Sequence, residues 1–170
     1  IISKQRNSRM CMICGLDNEY GVNAPFYNME DGSVMTVFRY KEQHQSYPGR
    51  VHGGMITAML DEMGLRSLWA KELSEETFGV TISLDTKYRK PVPYETELIG
   101  RGIVVKNTSH FIITDSYIMD KDGEVLANGR IKYIKMDTQK IQEGVEVHEE
   151  MPYLVEDGRT EIEGPFFDNL

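Results

Sequence analysis

The chain has 170 residues, of which 40% are apolar and 27% charged, and its formal net charge is −8. That length and composition suit one globular domain with a packed core. The acidic balance argues against nucleic acid as a partner, because a phosphate backbone needs a basic surface; a small phosphate-bearing ligand needs only a local basic patch and stays open.

Residues 1–10 are basic and polar with no apolar run behind them, so no signal peptide is expected. No segment is apolar for the 18 or so residues of a membrane span. Two cysteines, Cys11 and Cys14, are too few for a disulfide scaffold, so the expected location is cytoplasmic. Residues 1–32 are punctuated by glycine without a clear period and read as a loop segment. Residues 33–40 (SVMTVFRY) alternate as a strand does. Pro48-Gly49 marks a turn in the loop that follows.

Residues 53–73 form the one long predicted helix. Met55, Met59 and Met63, with Ile56 and Leu60, repeat at i, i+4, while Leu65, Leu68 and Trp69 carry the apolar surface round the cylinder. Four predicted strands follow, at 79–89, 97–105, 111–119 and 125–135. The Asp122-Gly123 pair is a strong hairpin signal between the last two. Short connections favour antiparallel neighbours. The expectation is an α+β domain over 33–136, with one long buried helix wrapped by a five- to six-stranded antiparallel sheet. A sheet curled about the helix, or a second subunit, must cover the rest of its apolar surface. Residues 137–170 are acidic and read as an extension that wraps the surface or is partly disordered.

The chemistry-bearing residues gather on the helix. Its first N–H groups lack intrahelical partners and carry partial positive charge, and Gly53 and Gly54 let a ligand atom approach them. This suits a developing oxyanion, although paired glycines also serve plain loop packing. Asp61 stands in mid-helix, where aspartate has poor propensity, among Met59, Leu60 and Met63. Partial desolvation would make it a stronger base; the alternative is a solvated stripe shared with Glu62 and Arg66. Seven residues put Gly54 and Asp61 on one face but roughly 10.5 Å apart along the axis. One carbonyl cannot sit about 3 Å from both. If both act on one carbonyl they come from two chains, so a homodimer with composite sites is expected.

Four segments together resemble the hotdog-fold thioesterases, in the PaaI-like branch of the 4-hydroxybenzoyl-CoA thioesterase superfamily. They are Cys11-x-x-Cys14-Gly15-x-x-Asn18-x-x-Gly21, the Tyr47-Pro48-Gly49 approach to His52-Gly53-Gly54, Asp61-Glu62-Met63-Gly64, and Tyr88-Arg89-Lys90-Pro91-Val92-Pro93. The resemblance spans residues 11 to about 135. It implies hydrolysis of an acyl-CoA thioester by a homodimer or a tetramer of dimers, without cofactor or metal. It further implies that the Gly54 amide polarises the carbonyl and that Asp61 of the other chain acts as base or nucleophile. His52 and Asn18 are expected to assist there, and Gly53, Thr81, Arg89 and Lys90 to bind substrate. Arg50 and Ser46 depart from the pattern at the entrance loop.

The same residues admit two other readings. A non-catalytic acyl-CoA binding or sensing module would use the same fold. A hydratase would pair a histidine with a carboxylate in a motif absent from this sequence. The Cys11-x-x-Cys14 pair lacks the second pair of a four-ligand zinc site and reads as structural, and His110 and His148 are isolated. No P-loop, dinucleotide fingerprint, nucleophile elbow or H-E-x-x-H motif occurs.

Overall fold

A computed structural model describes residues 1–73, 77–136 and 150–166. In chain order the strands before the helix are β1 (Ser3–Lys4), β2 (Arg6–Asn7), β3 (Tyr27–Asn28), β4 (Val34–Phe38), β5 (Gln45–Tyr47) and β6 (Arg50–Val51). The helix α1 (Gly53–Glu72) is followed by β7 (Phe78–Tyr88), β8 (Leu98–Asn107), β9 (Phe111–Met119), β10 (Val125–Met136) and β11 (Tyr153–Leu154). Helix α1 ends where Leu73 turns left-handed, with φ at 50°.

The main sheet runs β1-β3-β4-β8-β9-β10-β7, and every neighbouring pair is antiparallel. It has seven strands rather than the five or six expected. The additional strands, β1 and β3, are two residues each. Runs that short carry no readable period, which is why residues 1–32 read as loop.

Helix α1 lies across the sheet and contacts β3, β4, β7, β8, β9 and β10, the hotdog arrangement. The contact is close because glycines stand where a side chain would intrude. A Cβ at Gly102 would lie 2.5 Å from the Met63 carbonyl oxygen, and one at Gly64 would lie 2.1 Å from the Tyr133 hydroxyl. The side of α1 away from the sheet is covered by the chain's own N-terminal segment. Ile13, Cys14, Val22, Ala24 and Phe26 share one buried cluster with Ile56, Met59, Leu60, Met63 and Ala70.

Arg66, which the alternative reading puts on a solvated stripe with Asp61 and Glu62, is 1% exposed. Its guanidinium pairs with Glu62 at 2.8 Å, donates to Gln5 Oε1 and the Arg6 carbonyl at 3.1 Å, and stacks 4.2 Å from the Phe26 ring centroid. These partners satisfy a charge that burial would otherwise make costly.

The far face of the sheet is partly covered by residues 150–166. Strand β11 pairs with β2, and Ile162 and Phe166 are buried with Tyr27, Met29, Met35 and Val37. Lys4 and Tyr27 both bind the Asp157 carboxylate. The rest of the acidic extension, 137–149 and 167–170, lies outside the described residues. Among the described residues no helix is long and apolar enough to cross a membrane.

The helix–sheet contact at Gly102 involves backbone on the helix side, so it cannot yield by a rotamer change. Gly102→Ala should lower unfolding stability by about 1–3 kcal/mol, the range for overpacking a filled interior. Denaturant unfolding against wild type measures it.

Candidate functional site at the helix start and the edge strand

His52 caps α1. Its backbone is extended (φ −62°, ψ 134°), and its Nδ1 accepts the Gly54 N–H at 2.9 Å. Accepting that bond leaves Nδ1 unprotonated, so the neutral ring carries its proton on Nε2. The Met55 and Ile56 N–H groups donate to the His52 carbonyl at 3.0 and 3.2 Å. Three of the four N-terminal donors are therefore taken. Among the described residues the Gly53 N–H has no hydrogen-bond partner. The resemblance assigns the carbonyl to the Gly54 amide; in the structure that amide is held by the His52 cap.

The Gly53 amide borders a cavity of about 540 Å3, also lined by Tyr47, Arg50, Tyr88, Arg89, Lys90 and Pro91. Arg89 donates to Asn128 at 2.6 Å, and Lys90 pairs with Glu124. Both pairs are exposed, and the cavity carries three cationic side chains beside the positive end of a helix. A second depression of about 600 Å3 lies over β7, β9 and β10. It is lined by Asp85, Lys87, Arg89, Asp115, Tyr117, Val125, Asn128 and Arg130 and holds no free helix end.

Asp61 lies elsewhere, two turns along α1 and facing β7. The Thr81 hydroxyl donates to both its carboxylate oxygens, at 2.8 and 3.1 Å. The Tyr133 hydroxyl donates to its carbonyl at 2.7 Å and clamps that turn of the helix against β10. Burial raises the Asp61 carboxyl above the usual range, and the hydrogen bond from Thr81 partly counters this.

The pairing of β7 explains how Thr81 reaches it. The register with β10 shifts between Lys132 and Tyr133. On one side of this bulge an odd-numbered residue, Thr81, meets the helix. On the other side even-numbered residues do so, with Thr86 3.4 Å from Thr57 and Tyr88 donating to the Gly53 carbonyl at 3.1 Å. A bulge adds one residue and so reverses which side chains face inward. Strand β7 thereby serves the carboxylate with one end and the helix start with the other. It is also the outermost strand of the sheet, with Val80 and Ile82 exposed.

The structure thus brings Gly53, Gly54, Arg89 and Lys90 to one cavity, leaves His52 as the helix cap, and pairs Asp61 with Thr81. On α1 the two groups stand eight residues apart, about 12 Å along the axis. Asn18 joins neither. Its side chain donates to the Met10 carbonyl and accepts the Tyr20 N–H, organising the N-terminal loop.

Residues 48–127 match the family model described as thioesterase superfamily, and the matched segment contains the helix, most of the cavity lining and Asp61. Over that segment, just under half of its length, the chain is similar to the thioesterase superfamily. It is 26% identical to acyl-coenzyme A thioesterase THEM4 of Rattus norvegicus over 74% of its own length and 52% of that protein's. It is 23% identical to acyl-coenzyme A thioesterase 13 of Homo sapiens, over 58% of this chain and 70% of that one. The chain spans about half the length of the THEM4 relatives it matches. A crystallised thioesterase-superfamily protein superimposes with a TM-score of 0.66 at 26% identity, over 74% of this chain and 63% of that one. At the level of fold alone, a thioesterase protein of Streptococcus pneumoniae solved with coenzyme A gives a TM-score of 0.57 at 20% identity, covering 68% and 87%.

The raised Asp61 pKa has a definite sign in stability. The native state holds its proton at pH values where the unfolded chain has lost it, so the group's contribution to stability falls as pH rises from the unfolded value through the native one. Asp61→Asn, which carries no charge to bury, should therefore unfold at a higher temperature than wild type at neutral pH. The gap should close as the pH is lowered, as thermal unfolding at a series of pH values will measure. Thr81→Val, which removes the counteracting hydrogen bond, should move the Asp61 titration further upward, followed by carboxyl NMR.

Proposed function

We propose that the chain hydrolyses acyl-CoA thioesters at composite sites between two copies, as in the PaaI-like branch of the superfamily. The observation that carries this reading is the open Gly53 amide at a cationic cavity, about 12 Å along α1 from a partly desolvated carboxylate. Three cationic side chains of this acidic chain, Arg50, Arg89 and Lys90, line the cavity beside the helix start, where an anionic ligand would lie.

The thioester oxygen accepts the Gly53 N–H, with His52 Nε2–H as the second donor. Gly54, whose amide holds His52, sets the orientation of that ring. Arg50, Arg89 and Lys90 meet the coenzyme A phosphates. Asp61 of the other copy takes a proton from water, or attacks the carbonyl itself, and the thiolate of coenzyme A leaves. Thr81 holds the carboxylate in place. Asn18 keeps the N-terminal loop in shape rather than touching substrate.

The exposed outer edge of β7 suits pairing with a second β7 about a two-fold axis. Antiparallel helices would then bring Gly53 of each copy toward Asp61 of the other. The two free cysteines suit a reducing, cytoplasmic setting.

Asp61→Asn, assayed on a panel of acyl-CoAs by release of free thiol, should lower kcat about 100- to 10,000-fold, the span of a lost general base. Unchanged turnover would remove Asp61 from the reaction. Tight acyl-CoA binding with no thiol release by the wild type would instead favour a binding module. Light scattering should find a dimer or a multiple of it, and a fully active monomer would end the composite site.

A further inference from the structure

We propose that Cys11, Cys14 and Glu62 form a binding site for one thiophilic divalent cation, zinc first among them, which fastens the N-terminal loop to helix α1. The two thiol sulfurs and a Glu62 carboxylate oxygen all lie within 4.8 Å of one another. A tetrahedral zinc ion with ligands at its usual bond lengths holds sulfur and oxygen about 3.5 Å apart and two sulfurs about 3.8 Å apart. The Cys11 Sγ to Glu62 Oε2 separation of 3.9 Å needs only a small contraction to meet this.

The surroundings are shaped for the same task. Cys11 Sγ accepts the backbone N–H groups of Ile13 and Cys14, at 3.3 and 3.5 Å, and the Ser8 hydroxyl accepts the Cys11 N–H at 3.1 Å. Such N–H donors support a ligating thiolate. The turn closes so tightly that a Cβ at Gly15 would lie 2.4 Å from the Cys11 carbonyl oxygen, so the glycine after the second cysteine is required. Glu62 is oriented as a ligating carboxylate should be: Arg66 binds Oε1 at 2.8 Å, and Oε2 faces the thiols.

Charge explains why a cation belongs there. Two thiolates and a carboxylate carry three negative charges in a half-buried spot, and Arg66 supplies one positive charge. A divalent cation brings the cluster to neutrality. The half-buried Cys11 and Glu62 leave the fourth position to water. A disulfide-exchange pair is the less suitable use of these cysteines. A third ligand atom, Glu62 Oε2, faces Cys11, and Cys14 is only 2% exposed. Two cysteines alone read as too few ligands, since the third is a helix residue 48 positions after Cys14 that only the fold brings to them.

The test is cobalt(II) titration of the full chain, purified under a non-thiol reductant and stripped with a chelator. Wild type should bind about one cobalt per chain, with a thiolate-to-metal charge-transfer band in the near ultraviolet and the strong visible bands of tetrahedral cobalt, and zinc should displace it. Zinc should raise the unfolding midpoint of wild type and leave that of Cys14→Ser unmoved. Glu62→Gln should bind cobalt more weakly with altered visible bands; a spectrum and affinity equal to wild type would overturn the ligand set. Wild type with two free thiols and no charge-transfer band would overturn the site outright. So would a Cys11–Cys14 disulfide formed in air by a chain that binds no metal when reduced.

Discussion

The closeness with which helix α1 sits in the sheet governs most of this structure. Glycines on both partners permit it, Gly64 on the helix and Gly100 and Gly102 on β8, each with a heavy atom under 3 Å from where its Cβ would stand. A helix at ordinary distance would not let Tyr133 reach the Asp61 carbonyl. It would also move Asp61 away from Thr81. The same contact buries Met59, Leu60, Met63 and Leu68 completely, so the packing that holds the domain together also positions the carboxylate. A residue needed for polarity is thereby held in an apolar setting, which is how a carboxyl becomes a stronger base.

The two ends of the candidate site are built differently. At the helix start the chemistry is backbone: a cap occupies one amide, the carbonyl of the capping residue takes two more, and one donor remains toward a cationic cavity. At Asp61 the chemistry is side chain, tuned by burial and by one hydroxyl. Strand β7 links the ends, and its bulge lets one strand turn Thr81, Thr86 and Tyr88 all toward the helix. Its exposed outer edge is the side on which a second copy would bring the two ends into register.

The N-terminal segment does more than connect. It covers the side of α1 that the sheet leaves open, supplies Gln5 and Phe26 to the buried Arg66, and sets Cys11 and Cys14 against Glu62. Glu62 and Arg66 thus form one partly buried ion pair that joins the loop to the helix turn carrying Asp61. Residues 150–166 partly cover the opposite face, where Ile162 and Phe166 complete a cluster begun by β3 and β4.

Periodicity alone made the helix, the strand before it and the four long strands after it legible, because each is long enough for burial on one side to leave a repeat in the sequence. The Asp61 position and the glycines at the helix start were legible for a related reason: each breaks the local propensity of a buried helix. Spacing along α1 also separated the amide from the carboxylate, a consequence of helix rise that no folding can alter. Tertiary structure decided the rest. Which amide stays open depends on the rotamer of His52; which β7 residues face Asp61 depends on a bulge; that Arg66 is buried depends on a segment 40 to 60 residues earlier. The cysteines and Glu62 meet for the same reason. These are contacts between distant parts of the chain, and a local pattern records only what its own neighbours impose.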